Sequence, residues 1–144
     1  MSSVRRAVAV PVSPQDAYDL WTDTSRWPTF IDGFGHVDRL DPTWPQEGAK
    51  IVWKSPPAGR GVVTERVVTA EPGRMFATTI FEERVTGTQT VLFADGEVAL
   101  QLDYQLQSGG PFKAVVDALF IRRAQAEALQ RTLQRFRREA AEEL

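Results

Sequence analysis

The chain holds few side chains that could carry out acid–base or nucleophilic chemistry. His36 is its only histidine, and cysteine is absent. A zinc site with two histidines, a triad that needs a second imidazole and a thiol nucleophile are therefore excluded. A lone general base remains possible. The alternation of its predicted strand places His36 either beside Phe34 on the covered face of a sheet or opposite Val37 on the outer face.

The other candidates for chemistry are aromatic side chains with a polar tip and one arginine. Trp53 and Tyr104 fall on the apolar side of predicted strands, where the polar tip either orients a flat ligand or bonds to the backbone. Arg123 follows Phe120 by three residues on an apolar helix stripe. It could hold a ligand carboxylate or enolate, or extend its stem along the sheet to water.

The remaining charged residues form no recognisable acid–base pair. Arg66 and Arg84 are further cations that could contact a ligand. The carboxylates have no spacing that identifies a general acid and base, and we predict that they belong to the solvated face of a sheet. These carboxylates are Glu65, Glu82, Glu83 and Asp103.

Composition limits the classes of protein that fit the chain. Its 144 residues, 42% of them apolar, match one domain spanning 1–144. The net charge of −2 offers no overall field for nucleic acid, so we expect no nucleic-acid partner. No stretch resembles a signal peptide or approaches the roughly 18 apolar residues of a membrane span. We expect a cytoplasmic protein with no integral membrane segment, no metal and no other cofactor.

Two short helices are predicted near the start of the chain. A first strand covers residues 4–10, and Ser13, Pro14 and Asp16 then form the capping signal of a helix that extends to about residue 23. Residues 25–31 form a second short helix or turn that Pro28 interrupts. Six further strands follow, separated by Pro and Gly signals, at residues 34–41, 49–54, 61–70, 74–83, 87–94 and 97–106.

The last two strands and the end of the chain give the strongest patterns. Asp95-Gly96 predicts a hairpin with a type I′ turn, in which both residues have positive φ. Residues 111–144 carry apolar side chains at helical spacing and predict one long helix, about 50 Å at 1.5 Å per residue. The basic residues near its end, Arg131, Arg135, Arg137 and Arg138, are interpreted as a solvated helix end.

These elements predict an α+β fold in which one long helix covers a curved, seven-stranded antiparallel sheet, in the order β-α-α-β6-α. A straight helix cannot follow a strongly curved sheet along its whole length. The mismatch predicts an apolar cavity between helix and sheet, which is the usual character of a small-molecule site.

Several motifs resemble the Bet v 1-like or START-related (SRPBCC) superfamily with its helix-grip fold, in particular its bacterial polyketide cyclase/dehydratase-like branch. They are Val-Pro-Val-Ser-Pro-Gln-Asp-Ala-Tyr-Asp-Leu-Trp at residues 10–21, Trp-Pro at 27–28, Val-Thr-Ala-Glu-Pro-Gly-Arg at 68–74 and the closing helix. The resemblance covers nearly the whole chain. It implies a deep cavity under the last helix that takes a hydrophobic ligand, and no fixed catalytic set.

We therefore expect binding of a lipid, an isoprenoid or an aromatic polyketide-like molecule. The alternatives are a polyketide cyclase or dehydratase that uses the same cavity, with His36, Tyr104 or Arg123 handling a proton or an enolate, and a protein-interaction module of the chaperone-activator type. The chain could be a monomer or a homodimer. The predicted ligand-binding residues are Trp21, Phe30, Phe34, His36, Trp53, Leu102, Tyr104, Phe112, Val116, Leu119, Phe120 and Arg123.

Overall fold

The computed structural model describes residues 2–107 and 113–143. In chain order the strands are β1 (Ser2–Ala9), β2 (His36–Leu40), β3 (Lys50–Lys54), β4 (Val62–Glu71), β5 (Met75–Phe81), β6 (Val85–Ala94) and β7 (Glu97–Leu106). The helices are α1 (Pro14–Thr22), α2 (Trp27–Phe30), α3 (Lys113–Val116) and α4 (Arg122–Glu142). A short 3₁₀ turn (Thr24–Arg26) precedes α2, and a π-helical turn (Asp117–Ile121) joins α3 to α4.

The strands form one antiparallel sheet in the order β1-β7-β6-β5-β4-β3-β2. The register of β4 shifts between Val67 and Thr69, and that of β2 shifts between Val37 and Arg39. Such bulges increase local bending and twist. The predicted α+β architecture, with a curved seven-stranded sheet under a long C-terminal helix, is confirmed.

The β6–β7 hairpin is also confirmed, but its turn differs from the expected type. Ala94 pairs with Glu97, so Asp95 and Gly96 are the two turn residues. Gly96 has a φ of 74°, whereas Asp95 does not enter the left-handed region, which excludes a type I′ turn. Further along the same hairpin, a Cβ on Gly87 would lie 2.0 Å from the Asp103 carbonyl oxygen, so this close approach of β6 to β7 requires glycine.

Helix α1 begins at the predicted cap. The Asp16 amide donates a hydrogen bond of 3.1 Å to the Ser13 hydroxyl, and Pro14 occupies the first turn. The helix buries Trp21 against Phe30 and Phe136, with ring centroids 5.2 Å from Trp21 in both cases. This aromatic cluster fixes α1 and α2 against the second half of α4 and closes one end of the fold.

The C-terminal helix is not regular throughout. Its π-helical turn widens the helix between α3 and α4 and carries Asp117, which is buried. Beyond it, α4 packs mainly against β1 and α2 through Leu129, Leu133 and Phe136. Among the described residues, no helix is long and apolar enough to cross a membrane.

Candidate functional site

A cavity of about 150 Å³ lies between the concave face of the sheet and the middle of α4. We call it the inner cavity. The sheet supplies most of its floor, α4 supplies the roof, and the segment after α2 closes one side. Its lining consists of Ile31, Asp32, Trp53, Arg60, Glu65, Ile80, Glu82, Val85, Gln89, Leu100, Leu102, Ala124, Gln125, Ala128, Leu129 and Thr132.

The central polar group of the floor is the carboxyl of Glu65, which is only 4% exposed. Trp53 donates its indole N–H to Glu65 Oε2 at 2.8 Å, and Thr78 donates its hydroxyl to Oε1 at 2.9 Å. Each carboxyl oxygen therefore has one donor from the sheet and retains a further lone pair. Burial raises the pKa of Glu65 above its ordinary value, although both hydrogen bonds and the charge of Arg60 oppose the rise.

The buried position of Glu65 corrects the prediction that it lies on the solvated face of the sheet. On β4 it alternates with Val63 and Val67, which are both buried, and it pairs with Ile51 and Ile80 on the neighbouring strands. A carboxyl in phase with these apolar residues must point toward the helix. The alternation of residues 63, 65 and 67 is the sequence signal that could have identified the inward orientation of Glu65.

Arg60 and Glu82 close one end of the inner cavity. Arg60 Nε donates to Glu82 Oε2 at 2.8 Å, and its Nη2 lies 2.6 Å from the same oxygen. The guanidinium carbon lies 4.9 Å from the centre of the Trp53 ring, a cation–π contact. The ion pair therefore places a charged wall beside the aromatic ring and within electrostatic reach of Glu65.

A second space of about 220 Å³ lies on the other side of this ion pair. We call it the vestibule. It shares Arg60, Glu82, Val85, Ala124 and Gln125 with the inner cavity, so the ion pair belongs to the partition between the two spaces. The rest of its lining is Gly59, Glu83, Arg84, Leu106 and Ile121. Arg84, one of the cations considered from the sequence, thus lies outside the inner cavity.

Asp32 forms part of the opposite wall and is held by α4. Its carboxylate accepts hydrogen bonds from Arg131 at 2.9 Å and 3.1 Å and from Arg135 at 3.2 Å. Burial acts to raise the pKa of Asp32, but the hydrogen bonds and charges of the two arginines outweigh it and hold the pKa below its ordinary value. Two of the arginines predicted to form a solvated helix end therefore fix the wall of the cavity. The Asp32 amide donates to the buried Thr132 hydroxyl at 2.9 Å.

Among the residues predicted to bind a ligand, Trp53 and Leu102 line the inner cavity. Phe34 lies behind Trp53, with ring centroids 5.0 Å apart, and supports it. Trp21 and Phe30 belong to the aromatic cluster around Phe136 and do not line this cavity.

His36 and Arg123 lie away from the inner cavity. His36 pairs with Lys54, the neighbour of inward-facing Trp53, so its side chain is on the outer face of the sheet, where it is exposed. Arg123 is exposed at the start of α4 and lines a cleft toward β1. Arg66 is exposed, and its guanidinium donates to the Gly48 carbonyl at 3.2 Å.

Tyr104 is fully buried on the inner face of β7, outside the lining of the inner cavity. Its hydroxyl donates to Asp117 Oδ1 at 2.5 Å, and Ser2 donates its hydroxyl to Oδ2. Burial, followed by the hydrogen bond and charge of Asp117, raises the pKa of Tyr104 to about 12. Trp53 and Tyr104 thus both donate to carboxylates, whereas Trp27 and Trp44 donate to the backbone carbonyls of residues 21 and 22.

The remaining predicted residues belong to the start of the C-terminal helix. Val116 and Phe120 are exposed, Phe120 to 65%. Phe112 and the side chain of Leu119 lie outside the described residues. Among the residues that the structure describes, no group of three or more His, Asp or Glu is arranged to hold a metal ion.

Comparison with known proteins agrees with this architecture. A family model described as polyketide cyclase / dehydrase and lipid transport matches residues 1–141. No curated protein matches the chain in a sequence comparison.

Three solved structures illustrate the range of similar folds. A Deinococcus radiodurans protein is 24% identical with a TM-score of 0.63, and the match covers 99% of this chain and 100% of that one. An aromatase/cyclase from a Streptomyces species is 15% identical with a TM-score of 0.63, over 97% of this chain and 93% of that one. A major latex-like protein from Panax ginseng is 12% identical with a TM-score of 0.59, over 89% and 97%. At these identities the likeness establishes the fold.

Proposed function

Since the chain belongs to the polyketide cyclase/dehydrase and lipid transport family, we propose that it binds a hydrophobic small molecule in the inner cavity. The molecule we favour is a compact, ring-bearing compound of the aromatic polyketide type, with a hydroxyl group directed at Glu65. Its apolar body contacts Ile80, Leu100 and Leu102, and its ring lies near Trp53.

The observation that carries this proposal is the buried carboxyl of Glu65 on an otherwise largely apolar floor. Desolvating a carboxyl costs free energy, and Trp53 and Thr78 offset only part of it, because each oxygen retains a lone pair. A ligand hydroxyl would supply the missing donor. A polar group held in this way inside an apolar pocket is the usual means of fixing a ligand's orientation.

The volume favours a ring over a long acyl chain. By its volume alone, a cavity of about 150 Å³ matches the space that one benzene-like ring needs. The vestibule adds space for a second ring or a substituent once the Arg60 side chain moves. A long-chain lipid would require a larger separation of α4 from the sheet, so we place lipids and isoprenoids behind ring compounds.

Isothermal titration calorimetry with 2-naphthol, which combines two rings with one hydroxyl, tests the proposal. We expect Glu65→Gln to weaken binding by about tenfold, the usual effect of losing one hydrogen bond to a charged group. Glu97→Gln, at an exposed residue of β7, is the matched control and should bind as the unaltered chain does. Decanoate is the acyl-chain comparison. Absence of 2-naphthol binding, or equal affinity in Glu65→Gln, would contradict the proposal.

A second candidate function, a cyclase or dehydratase activity, is supported by the raised pKa of Glu65 together with the nearby guanidinium of Arg60. In its ionised form Glu65 could take a proton from carbon next to a ligand carbonyl. The electron pair then moves onto the carbonyl oxygen, and Arg60 stabilises the enolate. We assign these roles to Glu65 and Arg60 in place of His36, Tyr104 and Arg123. His36 lies on the outer face, Tyr104 donates to Asp117, and Arg123 lines the cleft toward β1.

Hydrogen–deuterium exchange at the α-carbon of 2-acetylnaphthalene, followed by NMR in D₂O, tests the second candidate. Exchange should be faster with the unaltered chain than with Glu65→Gln, while Glu97→Gln should match the unaltered chain. If the ketone binds but exchanges no faster than in buffer, the chain is a binding protein only.

A further inference from the structure

A cleft of about 470 Å³ lies between the edge strand β1 and the first turns of α4. We call it the arginine cleft. It is lined by Ser3, Val4, Arg5, Arg6, Arg122, Arg123, Ala126 and Glu127. Within this lining, as far as the structure describes the chain, Glu127 is the one carboxylate among four arginines.

Two of these arginines occupy positions at which the alternation of β1 and the apolar spacing of α4 predict apolar side chains. Arg6 lies between Val4 and Val8 on β1, and it pairs with Leu100, which is buried on the inner face of the sheet. Arg123 lies one helical turn before the buried Ala126 on α4. Two elements that are distant in sequence therefore each break their apolar pattern with arginine, and both arginines line the same cleft.

The arginine charges are only partly balanced by protein groups. Arg6 donates from Nη1 to the Arg5 carbonyl at 2.7 Å. Because the acceptor is an uncharged carbonyl, this bond does not neutralise the guanidinium charge. Arg122 Nη2 lies 4.0 Å from Asp117, at the limit of an ion pair. The chain as a whole carries a net charge of −2, so four arginines in one lining do not result from a generally basic composition.

We propose that the arginine cleft binds the phosphate group of a small phosphorylated molecule. Guanidinium groups match phosphate oxygens with pairs of parallel hydrogen bonds, and several arginines around one concave space suit a group with two negative charges. The negative charge of the phosphate group would balance part of the positive charge of the cleft.

The surroundings of the cleft favour a small ligand over nucleic acid. The positive surface is interrupted along α4, because Asp32 balances the charges of Arg131 and Arg135, which lie between the cleft and the exposed Arg137 and Arg138. A nucleic-acid surface needs a longer basic stripe that follows the phosphate backbone. A discrete cleft of about 470 Å³ is instead within the size range of small-molecule pockets.

The cleft is also separate from the inner cavity. The cavity roof uses Ala124, Gln125 and Ala128 of α4, whereas the cleft uses residues 122, 123, 126 and 127, and the two linings share no residue. Binding at one site can therefore be measured without removing a contact at the other.

Calorimetric titration with pyrophosphate and with phenyl phosphate, at constant ionic strength set by sodium chloride, tests the proposal. Arg6→Gln and Arg123→Gln should each weaken binding by about tenfold, as expected for the loss of a charge-assisted contact. Arg137→Gln and Arg138→Gln change exposed arginines of α4 outside the cleft and serve as matched controls. All four variants should keep their affinity for 2-naphthol, which separates this test from that of the inner cavity.

Thermal unfolding supplies an independent readout. Pyrophosphate should raise the Tm of the unaltered chain at concentrations above its Kd, and Arg6→Gln should reduce this rise without lowering the Tm in chloride alone. Three results would overturn the proposal: no binding of either phosphate compound, equal weakening by the control variants, or tighter binding of a hexaglutamate peptide or a short DNA duplex than of pyrophosphate.

Discussion

The Tyr104 hydroxyl donates a hydrogen bond of 2.5 Å to Asp117, and this bond joins the last strand of the sheet to the π-helical turn of the C-terminal helix. Ser2 of β1 donates to the other carboxylate oxygen. Asp117 thus collects donors from two neighbouring strands, and it does so where the helix is wider than an α-helix. We interpret this turn, a single π-helical insertion in the C-terminal helix, as the local change that brings Asp117 to Tyr104.

Tyr104→Phe should destabilise the fold. The substitution leaves the buried carboxylate of Asp117 without one of its donors, which costs about 1–3 kcal/mol of the free energy of unfolding. Urea unfolding at pH 7 measures the effect. Tyr18→Phe, at the only other tyrosine, is the control, and an equal loss in both variants would count against a specific role for the Tyr104–Asp117 bond.

Burial of Tyr104, followed by its hydrogen bond to Asp117, predicts a loss of stability at alkaline pH. The pKa of Tyr104 is 10.0 in the absence of the fold and about 12 within it, so the folded chain retains its proton more strongly. The free energy of unfolding should fall between these pH values, by up to about 1.4 kcal/mol per pH unit. The difference in free energy of unfolding between the unaltered chain and Tyr104→Phe should therefore be smaller at pH 11 than at pH 9. A constant difference between them would show that Tyr104 does not titrate as expected.

Glu65→Gln should change how stability depends on pH. Because burial raises the pKa of Glu65 above 4.5, the contribution of this group to stability is fully present when it is protonated. That contribution is lost as the pH rises from about 4.5 through the folded pKa. Relative to the unaltered chain, Glu65→Gln should therefore gain stability with increasing pH. Urea unfolding between pH 4 and pH 8 measures the difference, and a difference that is independent of pH would contradict this account.

Arg60→Ala should speed ligand entry from the vestibule. The substitution removes the side chain that, with Glu82, separates the two spaces. It also leaves the Glu82 side chain, which is 9% exposed, without its cation, so the free energy of unfolding should fall by about 1–3 kcal/mol. Stopped-flow measurement of 2-naphthol association should show a higher rate constant than in the unaltered chain. Arg74→Ala, whose arginine is 77% exposed beside Glu71, is the matched control. An unchanged association rate would mean that the ligand enters elsewhere.

Ala128→Leu should block the inner cavity without harming the fold. The larger side chain extends from the roof into existing space, so affinity for 2-naphthol should fall by at least about tenfold, while filling the cavity adds up to about 1 kcal/mol of stability. Ala141→Leu makes the same change at an exposed position of α4 outside the cavity. If both variants bind equally well, the ligand does not occupy the space under Ala128.

The fold could be predicted from local patterns because each pattern is produced by a few neighbouring residues. The Ser13 cap, the alternation along β7 and the position of the Asp95-Gly96 turn are as expected, although the turn is not of type I′. The π-helical turn could not be predicted in this way. The turn carries Asp117, whose partners Tyr104 and Ser2 are 13 and 115 residues away in the sequence, and no local pattern marks their contact.

The candidate site was less predictable than the fold for the same reason. Trp53 was identified as a polar-tipped aromatic on an inner face, but its partner Glu65 was assigned to solvent. The Arg60–Glu82 pair joins two segments that become neighbours only when β4 and β5 pair, so no spacing in the sequence marks it. His36 could have faced either side of its strand, and only its register with Lys54 decides the matter.

The position of β1 at the edge of the sheet has a consequence for the order of folding. Strands β2 to β7 each pair with their neighbour in sequence and can form as successive hairpins, whereas β1 must wait for β7, as the pairing of Ser2 with Tyr104 illustrates. Contacts so distant in sequence form slowly, because closing the intervening loop costs entropy before any contact is gained. The arginine cleft needs both β1 and α4, so an intermediate that contains only the meander of hairpins cannot bind a phosphate compound there. The time at which a refolding chain begins to bind a phosphate compound would therefore measure when β1 and α4 come together.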